Sequence, residues 1–434
     1  MKTTLITGGT LVSAGSEQQA DILIEDGVIR SIGNLPQAKN QEIIDASGFL
    51  IFPGLIDCHV HFREPGLEHK ETMATGSAAA LAGGVTAVCE MPNTIPPTVT
   101  IAALADKVRR AKDSKIDIRF FFGATEIAHL HTFRELYTGS SEELRRLKAR
   151  CCGLKLYFDH STGDQGAGVN VIEEAFKLCA ELNVPVVCHC EDSKMNHELR
   201  IMNERALSGR SKTGSRRGNI SMHSKIRPPE SEAKAIKDAL ALAKKYGTHL
   251  HVAHLSTMQG IELVRAAKKS GVSVTCEVTP HHLFLTVDDY PSLGTLAKMN
   301  PPLRTKEHQE ALWWGIEDGT VDCISTDHAP HTLEEKKSAD PFKAPSGVPG
   351  VETMLPLLLQ KLSPSQIIRF CFANPNHIFS LGKQGMAEGV HADLVLVDPK
   401  VRWVIRGKEL HSKCGWTPYE GWPVQGKIVQ VIAA

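Results

Sequence analysis

Two histidines one residue apart, His59 and His61, follow the apolar run that starts at Phe49. In an extended strand alternate side chains share a face, so both imidazoles project the same way while Val60 turns into packing. Two neutral imidazoles converging at a strand end can hold a divalent metal; the same pattern also arises where two polar residues simply meet water. Other apolar runs end on Lys155, His189, His254 and Asp327. A lone histidine at such a place is most often a hydrogen-bonded structural residue, and a buried lysine usually pairs with a carboxylate. Four imidazoles, a lysine and an aspartate at one rim are different, because burying so many polar groups together is unfavourable unless something binds them. The chemistry this set suggests is metal-assisted hydrolysis, in which two divalent ions make hydroxide from a bridging water at neutral pH.

Lys155 is the unusual member. As an ammonium it repels metal ions, whereas a neutral lysine amine reacts with carbon dioxide to give a carbamate, a bidentate anion. Asp327, a carbamate and a hydroxide together offset most of the charge of two divalent ions, while an ammonium in the same pocket adds to it.

The elements that must position these residues follow from the rhythm of the chain. Eight strand-like runs start at Gly54, Val85, Ile118, Gly153, Val184, His249, Val272 and Val321. Helical patterns separate most of them, as over Glu230–Tyr246 and Met258–Lys269, where apolar residues recur every three or four positions. Alternating strands and helices of this number imply a (β/α)8 TIM-like barrel over residues 51–387, with its chemistry at the carboxyl ends of the strands. Both ends of the chain instead alternate apolar and polar residues between glycine turns. Residues 1–50 and 388–434 are therefore expected to pair into a small composite β-sandwich domain.

Composition narrows the function further. Lys+Arg and Asp+Glu both number 49, so the net charge is zero, with no general attraction to nucleic acid or anionic lipid. No run approaches the ~20 apolar residues that span a bilayer, and the start lacks the apolar core of a signal peptide. A soluble cytoplasmic protein is expected, and its eleven cysteines, an odd number, read as buried thiols and not a disulfide framework. From Lys194 to Arg227 nine basic residues face two acids. No aromatic residues interleave there for base stacking, so the reading is a solvated insertion after the fifth strand, which can also form part of a subunit contact, and not a nucleic-acid patch.

The residues also carry a resemblance. Asp57 to Gly66, Met91 to Thr94, Gly153 to Tyr157, Cys188 to Glu191, His251 to Ser256, Cys276-Glu-Val-Thr-Pro-His-His-Leu283 and Thr326-Asp-His-Ala-Pro-His-Thr332 together resemble the dihydroorotases of the amidohydrolase superfamily. The type is the one similar to the dihydroorotase domain of the animal multifunctional pyrimidine enzyme. The resemblance implies an amidohydrolase-type barrel with two zinc ions. One is held by His59, His61, Lys155 as its carbamate and Asp327, the other by Lys155, His189 and His254, with Asp327 also the proton carrier. Some bacterial members place an aspartate at the bridging position, and Asp159 and Asp164 lie just downstream of Lys155, so the identity of the bridge stays open. Arg63, two residues beyond His61, can hold a carboxylate bidentately, and Asn93 can donate to the same anion. The resemblance makes His331 a third contact to that carboxylate. It makes Asn300 a substrate contact where the animal domain carries arginine, and it pairs the backbone of Pro349 and Gly350 with the pyrimidine edge. His281, His282 and His328 are expected to support or pack, and Cys188 and Cys190 to point away from His189.

The implied activity is reversible hydrolysis of the ring amide of L-dihydroorotate to N-carbamoyl-L-aspartate in pyrimidine synthesis, by a homodimer. The rivals are an allantoinase or dihydropyrimidinase, which lacks the carboxylate clamp, and a catalytically silent homologue serving as a scaffold.

Overall fold

The computed structural model describes residues 2–38, 41–159, 165–208, 220–338 and 340–433. Strands β1 (Thr3–Val12), β2 (Glu17–Glu25), β3 (Val28–Gly33), β4 (Glu42–Asp45) and β5 (Leu50–Pro53) precede the barrel. The barrel strands are β6 (Leu55–Val60), β7 (Val85–Glu90), β8 (Asp117–Gly123), β9 (Cys151–Tyr157), β10 (Val186–His189), β11 (Leu250–Val252), β12 (Val274–Val278) and β13 (Cys323–Ile324). Two more, β14 (Leu394–Val404) and β15 (Pro423–Ile432), end the chain.

β6 to β13 form one parallel eight-stranded sheet in sequence order. Every residue of β6 and of β7 is buried, the pattern expected of parallel strands covered on both faces. Phe121, Val187 and the thiols of Cys58, Cys89, Cys152 and Cys323 fill the barrel interior, while a larger apolar core lies between the strands and the surrounding helices. Two of those helices show why the periodicity was readable. Pro229–Tyr246 begins with proline in its first turn and stops at Gly247, whose φ of 72° only glycine adopts freely. Met258–Lys269 is capped by the Thr257 side chain, which accepts from Gly260 N–H.

The eighth strand has only two residues, and the ring closes through side chains as well as backbone. His61 N–H donates to His328 O at 2.7 Å, and the Asp57 carboxylate in β6 accepts Thr326 N–H at 3.0 Å together with its hydroxyl.

Both termini build a second, mixed sheet of seven strands in the order β15-β14-β5-β1-β2-β3, with β4 also paired to β1. β14 runs antiparallel to β5, from Leu394 opposite Pro53 to Val397 opposite Leu50, which fastens the tail to the start. Gly54 joins this sheet to the barrel. A Cβ there would lie 2.0 Å from Thr86 Oγ1 and 2.3 Å from Asp393 Oδ1, so only glycine fits.

The basic insertion contributes helices Ser193–Ser208 and Met222–Ile226. Most of its charged stretch, 209–219, lies outside the described residues, as does Asp164. All eleven cysteines are free and nine are buried, including Cys188 and Cys190, which pack in the apolar core on either side of His189. Among the described residues no helix is long and apolar enough to cross a membrane.

Candidate active site

The six side chains expected at the rim come from five different strand ends and meet. His61 Nε2 lies 3.0 Å and His59 Nε2 3.4 Å from Asp327 Oδ1, and a ligand atom from each of the three falls within 4.8 Å of the others. The His59 and His254 rings are 5.2 Å apart, and His254 Nε2 is 2.9 Å from His189 Nδ1. Lys155 lies fully buried at the end of β9. Three of the six non-glycine residues with left-handed φ among the described residues belong to this rim: Arg63 at 65°, His254 at 34° and Asp327 at 46°. The chain is bent there to aim side chains inward.

The donor set fits divalent metal. The outward nitrogens of three histidines are already held: His59 Nδ1 by Glu277 Oε1 at 2.5 Å, His61 Nδ1 by Asn93 Oδ1 at 2.6 Å and His189 Nε2 by Glu191 Oε2 at 2.9 Å. Such contacts fix the ring and leave the inward nitrogen as a lone pair. His189 Nδ1 then faces His254 Nε2, whose other nitrogen, Nδ1, has no hydrogen-bond partner. Burial, with His189 and Lys155 beside it, pushes the His254 pKa well down, so the ring is neutral. The two ring nitrogens, 2.9 Å apart, offer a pair of donor atoms that a divalent cation can take. Lys155 Nζ has no hydrogen-bond partner either, and burial lowers its pKa, which favours the nucleophilic amine.

Arg63 is buried beside this set. Its Nε donates to Pro330 O at 3.0 Å and its Nη2 lies 3.1 Å from His331 Nε2, and among the described residues no carboxylate comes within ion-pair distance of it. His331 also reaches Ser346 O through Nε2 at 3.0 Å and Lys70 Nζ through Nδ1 at 3.0 Å. Asn300 lines the same small cavity as His59, His61, Arg63, His189, His254 and Asp327, and its Oδ1 accepts from Ser346 Oγ at 3.1 Å. Asn93 is half-buried and engaged through His61. Pro349 and Gly350 stand outside the cavity wall: the Gly350 N–H donates to His328 Nδ1 at 3.1 Å and its carbonyl accepts from Thr353. Ser346 and Gly347 line the cavity in that part of the chain. Asp159, the other candidate bridge, accepts instead from Asn196 at 3.0 Å and Arg227 at 2.7 Å.

The amidohydrolase family model matches residues 50–434, from the first barrel approach to the end of the second sheet. The chain belongs to the amidohydrolase family. As a member it is a metal-dependent hydrolase, in keeping with the clustered His59, His61 and Asp327. Proteins named dihydroorotase are similar along nearly its whole length. The one from Methanosarcina acetivorans is 41% identical over 94% of this chain and 85% of its own. That from Halobacterium salinarum is 40% identical over 92% and 91%, and that from Bacillus cytotoxicus 37% over 98% and 95%. Among solved structures, an L-hydantoinase (dihydropyrimidinase) from Arthrobacter aurescens superposes with a TM-score of 0.90 at 28% identity, covering 100% of this chain and 96% of that one. A dihydropyrimidinase from Brevibacillus agri gives 0.88 at 26%, covering 99% and 93%.

Two carboxylates of this amidohydrolase escaped sequence reasoning. Glu277, buried at the end of β12, accepts from His59, from His251 Nε2 at 3.3 Å and from the His254 N–H at 3.1 Å. Glu191 accepts from His189 and from Arg227 Nη1 at 2.6 Å, and although burial opposes its ionisation, Arg227 and His189 hold its pKa down at about 2. The available signal was a glutamate within or beside an apolar strand run, where a carboxylate persists only if it is paired.

Proposed function

We propose that this amidohydrolase catalyses the reversible hydrolysis of the ring amide of L-dihydroorotate to N-carbamoyl-L-aspartate. The observation that carries the reading is Arg63, a buried guanidinium without a carboxylate partner beside a metal-ligand set. A cation there is electrostatically unfavourable until an anion arrives, and its fork suits the ring carboxylate. The long similarity to proteins named dihydroorotase, at 37–41% identity, supports the same substrate. Hydantoinase-like structures share the fold at lower identity, and a ring without a carboxylate leaves Arg63 unneutralised.

His59, His61 and Asp327 would hold one zinc and His189 and His254 the other, with Lys155 as its carbamate between them. The pair supplies the Lewis acidity that lets a water attack a ring carbonyl at neutral pH. Asp327 accepts a proton from the attacking water and returns it to the departing ring nitrogen. Burial raises its carboxyl pKa, which brings it closer to the range in which a carboxylate relays protons. Arg63, Asn93 and His331 orient the carboxylate, and Asn300 and the chain at Pro349 and Gly350 are assigned to the rest of the ring. The cellular form is a cytoplasmic homodimer, with residues 51–387 as the catalytic domain and 1–50 with 388–434 as the terminal one.

The test is a substrate panel on zinc-loaded protein: dihydroorotate, allantoin, hydantoin and dihydrouracil. Dihydroorotate is expected to lead by roughly 10- to 100-fold in kcat/KM, the value of one charged hydrogen-bond pair. Equal or faster turnover of dihydrouracil overturns the assignment, and no turnover of any of the four returns the silent-scaffold alternative.

A further inference from the structure

Two buried lysines, Lys298 and Lys336, take no part in the chemistry above and have no carboxylate partner within ion-pair distance among the described residues. Each ammonium is instead caged by backbone. Lys298 Nζ donates to the carbonyls of Pro341 at 2.8 Å, Phe342 at 3.1 Å and Ala344 at 2.6 Å. Lys336 Nζ donates to those of Lys298 at 2.8 Å, Pro345 at 3.1 Å and Gly347 at 2.9 Å. The Gly347 N–H closes the network on Lys298 O at 2.9 Å.

The segment these bonds converge on, 341–347, holds no helix or strand, so its carbonyls lack the ladder that ordinarily satisfies buried backbone. Two buried side chains that donate N–H to several carbonyls stand in for that ladder, although burial lowers the pKa of both, that of Lys298 to about 8. Burying an ammonium without a counter-ion is costly, and it is tolerated where several acceptors surround it and something depends on the result. What depends on it here is Ser346, whose hydroxyl donates to Asn300 Oδ1 and whose carbonyl accepts from His331. Lys298 itself lies two residues before Asn300.

We propose that Lys298 and Lys336 are positioning residues, internal hydrogen-bond donors that clamp the 341–347 segment so that Ser346 holds Asn300 and His331 in register for a carboxylated ring. The inference rests on the dihydroorotate reading for its substrate, while the clamp itself is a property of the chain.

Lys298→Met and Lys336→Met keep the apolar stem and remove the donors. Each is expected to raise KM for dihydroorotate by about tenfold or more, while kcat stays within about threefold. Backbone amide exchange is expected to quicken in the peptide spanning 341–347 and not across the barrel strands. Lys298→Gln and Lys336→Gln retain two donors without the charge and are expected to recover part of the KM. They also decide the matter if the methionine variants do not fold. KM within about twofold of the unaltered protein overturns the proposal. So does a loss of kcat and melting temperature together with unchanged KM, which is what a purely structural role predicts. Absence of dihydroorotate turnover by the unaltered protein sinks the substrate reading alone, and the exchange measurement then still judges the clamp.

Discussion

Replacing Glu277 with glutamine separates the metal from the residues that hold its ligands. Glu277 Oε1 meets His59 Nδ1 at 2.5 Å and the His254 N–H at 3.1 Å, and Oε2 meets His251 Nε2 and Cys58 Sγ, each at 3.3 Å. Burial opposes its ionisation, yet the facing His59 and His251 hold its pKa well below the carboxylate range, so it is an anion surrounded by donors. Glutamine keeps the shape but turns the bond to His59 from a charge-assisted one into a neutral one, a loss of about 1–1.5 kcal/mol. Its amide also points an N–H₂ at a donor, leaving one buried group unpaired at about 1–3 kcal/mol, part of which falls on the fold and not on the metal. Zinc affinity is therefore expected to drop roughly 10- to 100-fold, the range typical of partners one step behind a ligand. The assay is competition against a graded chelator, reading bound zinc directly, with kcat measured at saturating zinc. Glu277→Gln should recover most of its kcat once zinc is in excess. Unchanged zinc affinity would falsify the claim that Glu277 tunes the site through His59.

Arg63→Ala should weaken binding of dihydroorotate by about 1.5–3 kcal/mol, seen as a higher KM with a smaller change in kcat, and an unchanged KM counts against a carboxylate role. Asp327→Asn should abolish turnover while the protein still retains zinc through the remaining ligands; near-normal rates dismiss it as the proton carrier. Acid should destabilise the fold through buried histidines. Burial, then Arg227 and Lys298, holds His223 neutral down to about 3, and burial, then His251, His377 and Lys268, does the same for His249 down to about 4. Both folded values lie below the unfolded one of ~6.5, so the unfolded chain takes protons first. Stability is complete above that pH and declines as the pH falls toward 4, by about 1–2 kcal/mol per histidine at pH 5. A melting temperature that does not change between pH 7.5 and 5 contradicts this.

Much of the barrel was legible because its strands are buried on both faces and so read as continuous apolar runs, each found within a few residues of its expected position. The convergence of His59, His61, Lys155, His189, His254 and Asp327 was legible for a related reason: polar residues closing such runs have few places to go but the rim. Glu277 was harder, since it meets His59 and His254 from other strands and only the closed ring reveals the pairing, while Glu191 sits two residues beyond His189 and its distant partner is Arg227. Ser346 and Gly347 line the cavity within the stretch that also holds Pro349 and Gly350, and the path of this wall was the part least legible in advance. That stretch has no periodicity, and its path is set by the side chains of Lys298 and Lys336, which are distant in sequence or hidden in a short helix.

The left-handed backbone at Arg63, His254 and Asp327 sets durability against aim. For an ordinary L-residue that conformation costs roughly 1–2 kcal/mol, a noticeable share of a net stability of about 5–15 kcal/mol. Glycine at Asp327 would relax the bend and leave a sturdier but inert protein. Screening variants of this enzyme for heat tolerance alone would thus reward the loss of its own active site, and any such campaign has to select for turnover at every round.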